Sequence, residues 1–316
     1  MSDNLTMLNI CGTDIRVEGR LVRVARLEAD KYEFLEDPSQ LLDGLRKSRT
    51  RIDLFTFMQG LTDNSPKYNY PMEWDNLAVL PVSTFEHWWK HQIRSFPRNR
   101  ARQAEKKGVV VREVAFDESL VQGIWGIYNE CPIRQGKPFL HYGMSIEAVR
   151  KHAGTFLDTS IFIGAFLGEQ LIGFAKLTSD QARTQANFMN IVSMVEHKEK
   201  APTNALIAQA VRSCADRNIR HLVYQNFCYG NKPPDSLSKF KENNGFKRVD
   251  LPRYYVPLTL IGWAALRLGL HHRVADHLPA PLADKLRAFR SAWYNRRLQA
   301  VTKDERSDVC PGSSDS

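Results

Sequence analysis

Ser160-Ile-Phe-Ile-Gly-Ala-Phe-Leu167, Gly168-Glu169-Gln170, then Leu171-Ile-Gly-Phe-Ala-Lys-Leu177 is the stretch whose reading decides the fold. Two β-rich runs joined by a short Gly-containing turn predict a hairpin. A third run, Asn187 to Glu196, carries Phe188, Met189, Ile191, Val192, Met194 and Val195. Pro202 then stands where a helix starts, because a missing N–H costs nothing in the first turn. Leu206, Ile207, Ala210, Val211 and Cys214 give that helix one apolar face. Asn218 suits the left-handed residue that ends it. Arg220–Gln225 reads as a short strand, and the next helix turns Leu237 and Phe240 inward and stops at Asn244-Gly245. Phe246–Val249 and Arg253–Leu258 read as two final strands, so the order is β-β-β-α-β-α-β-β.

Upstream of this stretch, Val109–Val114 reads as a strand. Asp117 caps a helix with the stripe Leu120, Val121, Ile124, Trp125, Ile127 and Tyr128. A loop from Cys131 to Gly143 and a short helix from about Ser145 to His152 lead into the hairpin. Before the strand, Phe85, Trp88, Trp89 and Ile93 mark a helix that Pro97 interrupts and Gly108 ends. Residues 4–35 read as short strands, Asp37-Pro38 opens a helix with Leu41, Leu42 and Leu45, and Ile52–Met58 is a further strand. The loop from Asn64 to Pro71 follows. This region promises no core of its own and is expected to pack on the rest.

The chain has 316 residues, 43% hydrophobic and 25% charged, with a formal net charge of +9. No apolar run reaches the ~20 residues that span a bilayer. The N-terminus shows no basic-then-apolar signal pattern, which gives a cytoplasmic expectation, with a peripheral place at the inner membrane face left open. Five cysteines (11, 131, 214, 228 and 310) form no CxxC pair, which points to reduced thiols and to no metal site. Thr84–Lys107 holds seven Lys/Arg against two acids, and Pro257–Ala300 repeats that balance. Two basic segments point to solvated helix faces or to an anionic partner such as CoA phosphates, tRNA or an acidic membrane.

With the upstream elements the order becomes β-α-α-β-β-β-α-β-α-β-β over about Gly108–Thr259, an α/β (α+β) pattern with a mixed central sheet. This order resembles the GNAT N-acyltransferase superfamily. The Arg98-x-Arg-x-Arg102 and Lys106-Lys-Gly-Val109 stretch, and the ending Asn244-Gly-Phe246 with Pro252-Arg-Tyr-Tyr-Val256, resemble its FemAB-like branch. FemAB-type enzymes join amino acids to peptidoglycan precursors using aminoacyl-tRNA and carry two such domains. The likeness therefore implies an N-acyltransferase moving an acyl group from acyl-CoA, or an aminoacyl group from aminoacyl-tRNA, onto a small-molecule or peptide amine by direct attack. The alternative is a GNAT-fold binding module that has lost catalysis, at the membrane surface for example.

The resemblance also suggests site residues. GNAT domains hold the CoA pyrophosphate on backbone N–H groups at a glycine-rich helix start, a general anion site. Here that loop is His197-Lys-Glu-Lys-Ala-Pro-Thr-Asn-Ala205, without glycines, so Lys198, Lys200, Thr203 and Asn204 are the donor-binding candidates. An ordinary capped helix with solvated lysines is the other reading. Glu196 matches the usual strand carboxylate as base. Lys241 stands where a Tyr is usual, and Tyr229 is a substitute acid. Arg134, Gln135, Lys137, His141 and Tyr142, with Asn231 after the next strand, are the acceptor-side candidates.

The chain divides into a β-rich extension (1–83), the acyltransferase-like unit (84–259), a basic helical extension (260–300) and a polar tail (301–316) expected to be disordered. In the helical extension Leu282, Leu286, Phe289 and Trp293 lie opposite Lys285, Arg287, Arg290, Arg296 and Arg297. That pattern fits an interfacial helix on anionic lipid, or a capping helix that shows its charges to water.

Overall fold

The structure, a computed structural model, describes residues 5–271 apart from 31–32, 36, 62–64, 135–136 and 229–234. The deciding hairpin is formed by β9 (Ser160–Leu167) and β10 (Gln170–Ser179). Gly168 takes φ +56° in the turn, a conformation that a side chain disfavours. β6 (Val109–Val114) pairs outside β9, and β11 (Gln185–Ser193) pairs antiparallel with β10 on the other side. One face is covered by α6 (Pro202–Asp216) and α3 (Ser95–Lys106), the other by α4 (Glu118–Asn129) and α5 (Ile146–Ala153). The sequence signals hold locally. Asp117 accepts from the Leu120 N–H at the start of α4, Pro202 opens α6, and Asn218, Gly108 and Gly245 take positive φ at helix ends.

The helix from Thr84 breaks elsewhere than expected. α2 (Phe85–His87) runs into a π-helical turn, Trp88–Gln92, and the break falls at Ile93-Arg94. Pro97 lies in the first turn of α3, where no intrahelical partner awaits its N–H, so it is tolerated. Trp88 is fully buried, and its indole N–H donates to the Asn244 carbonyl at 2.9 Å.

The larger correction concerns the far half of the sheet. β12 (His221–Asn226) lies beside β11, but its other neighbour is β5 (Met72–Pro81), a strand unmarked in the sequence reading. The two final strands expected near the end are one, β13 (Lys247–Pro257). It runs through Pro252 because the missing N–H falls where the ladder to β4 (Leu54–Met58) ends, opposite Gln59. β13 is inserted between β4 and β5, and β3 (Val24–Leu27), β2 (Thr13–Glu18) and β1 (Thr6–Ile10) complete the order. Eleven strands thus make one sheet among the described residues. A strand from before residue 84 sits in its middle, next to one from after 246.

The N-terminal region builds a hydrophobic cluster together with β13. Ile15, Val17, Leu41, Leu42, Leu45, Phe55 and Phe57 close it, with α1 (Ser39–Lys47) on top and Tyr254 and Val256 of β13 filling it. Periodicity understated this core because part of it arrives from 200 residues further on. At the seam of the two halves the Arg253 guanidinium meets Asp30 at 3.0 Å and Asp75 at 2.9 Å. α7 (Ser236–Asn243) and α8 (Leu260–Arg267) flank β13, and a two-stranded ribbon, β7 (Ile133–Arg134) with β8 (Lys137–Pro138), follows α4. Among the described residues no helix is long and apolar enough to cross a membrane. The sequence assignments beyond residue 271, Cys310 included, lie outside the described residues.

Candidate functional site

β11 and β12 run parallel but pair only from Gln185↔His221 to Asn187↔Val223. Both strands continue, to Ser193 and Asn226, so the sheet opens between them. The opening has a local cause. The register of β12 against β5 slips between Val223 and Asn226, and Gln225 takes φ +48°, which turns the strand away from β11. The Gln225 amide spans the gap to donate to the Phe188 carbonyl at 3.3 Å. A split beyond the carboxyl ends of parallel strands is where α/β sheets receive ligands.

α7 brings a lysine to the end of β12, beside this opening. Asp235 caps the helix by accepting from the Leu237 and Ser238 N–H groups, and Ser238 donates to the Phe227 carbonyl. The inward face of α7 is therefore Ser238 and Lys241, with Leu237 and Phe240 only partly buried, against the expectation for this helix. Lys241 is fully buried, donates to the Asn226 carbonyl at the end of β12, and lies 4.9 Å from the Tyr224 ring centroid. Burial pulls its pKa down to about 8, so near neutral pH it is still mostly an ammonium ion. Asn226 is in turn fixed by donating to Asp75 at 3.0 Å, and Asp75 holds Arg253. A polar line thus runs from the seam of the halves to the Lys241 ammonium.

The other side of the opening is the end of β11 and the start of α6. Glu130, just after α4, accepts from the Val195 and Glu196 N–H groups at 2.9 and 2.8 Å. Arg134 ties this corner together, donating to the Ser193 and Ile127 carbonyls at 2.6 Å each and to Glu130 at 3.1 Å, over the Phe139 ring. Arg134, an acceptor-side candidate from the sequence, is a brace for this corner. The Lys198, Lys200 and Ala201 N–H groups bond to carbonyls within the same turn, and the Asn204 N–H returns to Ala201. Pro202 has no N–H. Lys200 pairs with Glu199, and Thr203 Oγ1 sits 2.9 Å from Ser193 Oγ. Glu196 is exposed, three residues past the end of β11. Arg100 and Lys107 of the basic helix region donate to the Lys198 and Glu199 carbonyls, so that region lies against this turn.

Of the acceptor-side loop, Lys137 and Tyr142 are exposed, while His141 is half-buried and stacked on Tyr128 at 4.5 Å. Gln135, Tyr229 and Asn231 lie outside the described residues. His141 also lies 5.2 Å from His152, and beneath them is a second buried lysine, Lys176 of β10. Lys176 donates to the Ala153 carbonyl at 2.8 Å and to both oxygens of Thr155, pinning the chain between α5 and β9. Burial lowers its pKa to about 8 and, together with neighbouring positive charge, lowers those of both histidines. Lys176 belongs to no motif in the sequence; a lysine at a buried register of an apolar strand is the signal that marks it. Among the described residues no cluster of His, Cys, Asp and Glu suits a metal ion.

No protein-family model matches the chain, and no curated protein matches it. Solved structures do. L-PGS from Bacillus licheniformis superposes with TM-score 0.56 at 11% identity, covering 85% of this chain and 90% of that one. The C-terminal domain of a protein described as a lysylphosphatidylglycerol synthetase, from Agrobacterium fabrum, gives 0.55 at 10% identity over 85% and 89%. FemX gives 0.53 at 9% identity over 84% and 90%. The fold is therefore GNAT-like, of the FemAB-like kind, and both halves of the sheet belong to it.

Proposed function

We propose that the chain is an aminoacyltransferase that takes its aminoacyl group from an aminoacyl-tRNA and passes it to an amine. The observation that carries this donor choice is the state of the turn before α6. The Val195 and Glu196 N–H groups at that turn are engaged by Glu130, those of Lys198, Lys200, Ala201 and Asn204 by neighbouring carbonyls, and Pro202 supplies none, which leaves few donors to hold a CoA pyrophosphate. Beside that turn, a surface depression of about 460 Å³ along α3 is lined by Phe96, Asn99, Arg100, Arg102, Gln103 and Lys106. An exposed aromatic ring among guanidinium and ammonium groups suits stacked bases and a phosphate backbone. The names of two of the similar structures, a lysylphosphatidylglycerol synthetase and FemX, agree with aminoacyl transfer.

In this reading the ester carbonyl of the donor lies in the opening between β11 and β12. The acceptor amine attacks the carbonyl carbon, a tetrahedral oxyanion forms, and its collapse breaks the ester bond to leave an amide and the freed ribose hydroxyl, which takes up the proton the amine loses. The Lys241 ammonium stabilises the oxyanion, a preorganised charge in a site shielded from water. Holding donor and acceptor together supplies much of the rest, so no covalent enzyme intermediate is needed.

The test is thermal unfolding of the full chain with acetyl-CoA, longer acyl-CoAs and CoA, beside filter binding of aminoacyl-tRNA. A native-state ligand at a hundredfold its dissociation constant adds about 2.7 kcal/mol of apparent stability. The expectation is no shift with any CoA and salt-sensitive retention of aminoacyl-tRNA. A clear shift with an acyl-CoA overturns the donor. Binding of neither favours the binding-module alternative.

A further inference from the structure

α8 is turned the wrong way round for a helix that only covers its domain. Its small residues Gly262 and Ala265 face the protein, while Leu260, Ile261 and Trp263 point outward, Leu260 with 87% of its surface exposed. Leu268, just past the helix, is 69% exposed. The rotation is fixed. Thr259 caps α8 and also donates to buried Asp53 at 2.8 Å, and a Cβ on Gly262 would fall 1.9 Å from the Asp53 carbonyl oxygen. No other rotation brings the helix this close.

The patch does not end at α8. Asp53 is also clamped by Arg51, at 3.0 and 2.9 Å, and Arg51 donates to the Leu21 carbonyl at 3.0 Å. Leu21 is 86% exposed. One hydrogen-bonded chain, Leu21 to Arg51 to Asp53 to Thr259, therefore sets two exposed apolar tips at the same corner. The cations Arg20, Arg49, Arg51 and Arg267 stand exposed in the segments that carry those tips. Residues 20–23, 46–51 and 260–271 contain no acid. Protein interfaces deplete charge at their core, whereas leucine and tryptophan beside cations suit the boundary of an anionic bilayer.

We infer that this corner, Leu21 with the outer face of α8, docks the protein onto a membrane surface rich in anionic phospholipid. The apolar tips enter the acyl boundary and the arginines rest on the headgroup phosphates. The docking needs no crossing segment, and it stands independently of the transfer chemistry because no residue of the β11–β12 opening takes part.

The test is co-sedimentation of the full chain with phosphatidylcholine vesicles and with vesicles containing phosphatidylglycerol. The expected result is binding to the anionic vesicles alone, weakened at 0.5 M salt. The double variant L260S/W263S should bind at least tenfold more weakly, and R20E/R49E should lose the preference for anionic lipid. All four side chains are exposed, so unchanged thermal unfolding shows that both variants fold. Failure of the full chain to bind anionic vesicles overturns the inference. So does binding that L260S/W263S leaves intact, which would place the contact in residues 272–316. Self-association that this variant abolishes, in a chain that ignores vesicles, assigns the patch to a second copy and overturns it as well.

Discussion

Among the described residues the sheet has two places where neighbouring strands run parallel, and the two are built differently. In the N-terminal half β3 and β4 pair at Val24↔Leu54 and Ala25↔Phe55 and then part. The chain bridges that gap itself, since Leu35 donates to the Met58 carbonyl; next to it, at the end of β4, Tyr254 of β13 donates to Gln59 at 2.9 Å and Tyr68 packs edge-on against Tyr254. In the other half β11 and β12 part after Asn187↔Val223; a glutamine amide spans the gap, and a buried ammonium lies at the end of β12 beside the Tyr224 ring. One gap is filled; the other, in the function proposed above, is furnished for chemistry. Arg253 joins them, since its aspartate partners come from both sides of the seam.

The largest effect should come from breaking that joint. Arg253→Met leaves Asp30 and Asp75 without their cation in a nearly buried site, and losing one partner of such a pair costs about 3–5 kcal/mol. A fall in the denaturant midpoint at unchanged slope checks it, and an unchanged midpoint would mean that the halves hold without the seam. Lys241→Met should come next: transfer falls roughly 10²–10³-fold, the loss typical of an oxyanion donor, with aminoacyl-tRNA binding retained. Wild-type turnover in that variant would remove Lys241 from the chemistry.

The two buried lysines also predict a pH dependence of stability. Each takes up a proton at about 8 in the folded chain, against an ordinary 10.5. Between those values the unfolded chain binds the extra protons, so stability rises with pH through that window. The gain is on the order of 3 kcal/mol per lysine at most, given roughly 1.4 kcal/mol per pH unit. Chemical denaturation at pH 8 and pH 10 should show the rise in wild type and its loss in K176M/K241M. The smallest effect belongs to the closed gap. Tyr254→Phe removes a hydroxyl that donates to Gln59 and accepts from the Lys67 N–H, which costs about 1–3 kcal/mol while transfer is untouched. A loss of transfer there would show that the closed half is not merely structural.

Local signals in the sequence were dependable where one residue decides one geometry. Asp117, Pro202, Asn218 and the Gly168 turn were all legible because capping and positive φ are local matters. The exchange of β5 and β13 between halves was not legible, since pairing of strands some 170 residues apart leaves no periodic trace. Pro252 misled for the opposite reason: a proline ordinarily splits a strand, but here it falls where a ladder ends. At the site, the missing glycines before α6 were visible, while the Glu130 carboxylate that occupies the Val195 and Glu196 N–H groups was not. In the sequence Lys241 stands out only as a lysine where a tyrosine is usual; its burial against the Asn226 carbonyl is a tertiary fact.

The most direct measurement of the central claim is single-turnover aminoacyl transfer by wild type and K241M, side by side, from pH 6 to pH 9.5. Taking the ratio cancels the ionisation of the acceptor amine. The account predicts a large ratio that stays constant below about pH 7 and declines as pH passes about 8, where the Lys241 ammonium loses its proton. A ratio near one throughout, or one that grows with pH, would contradict a cation at the opening as the group that stabilises the transition state.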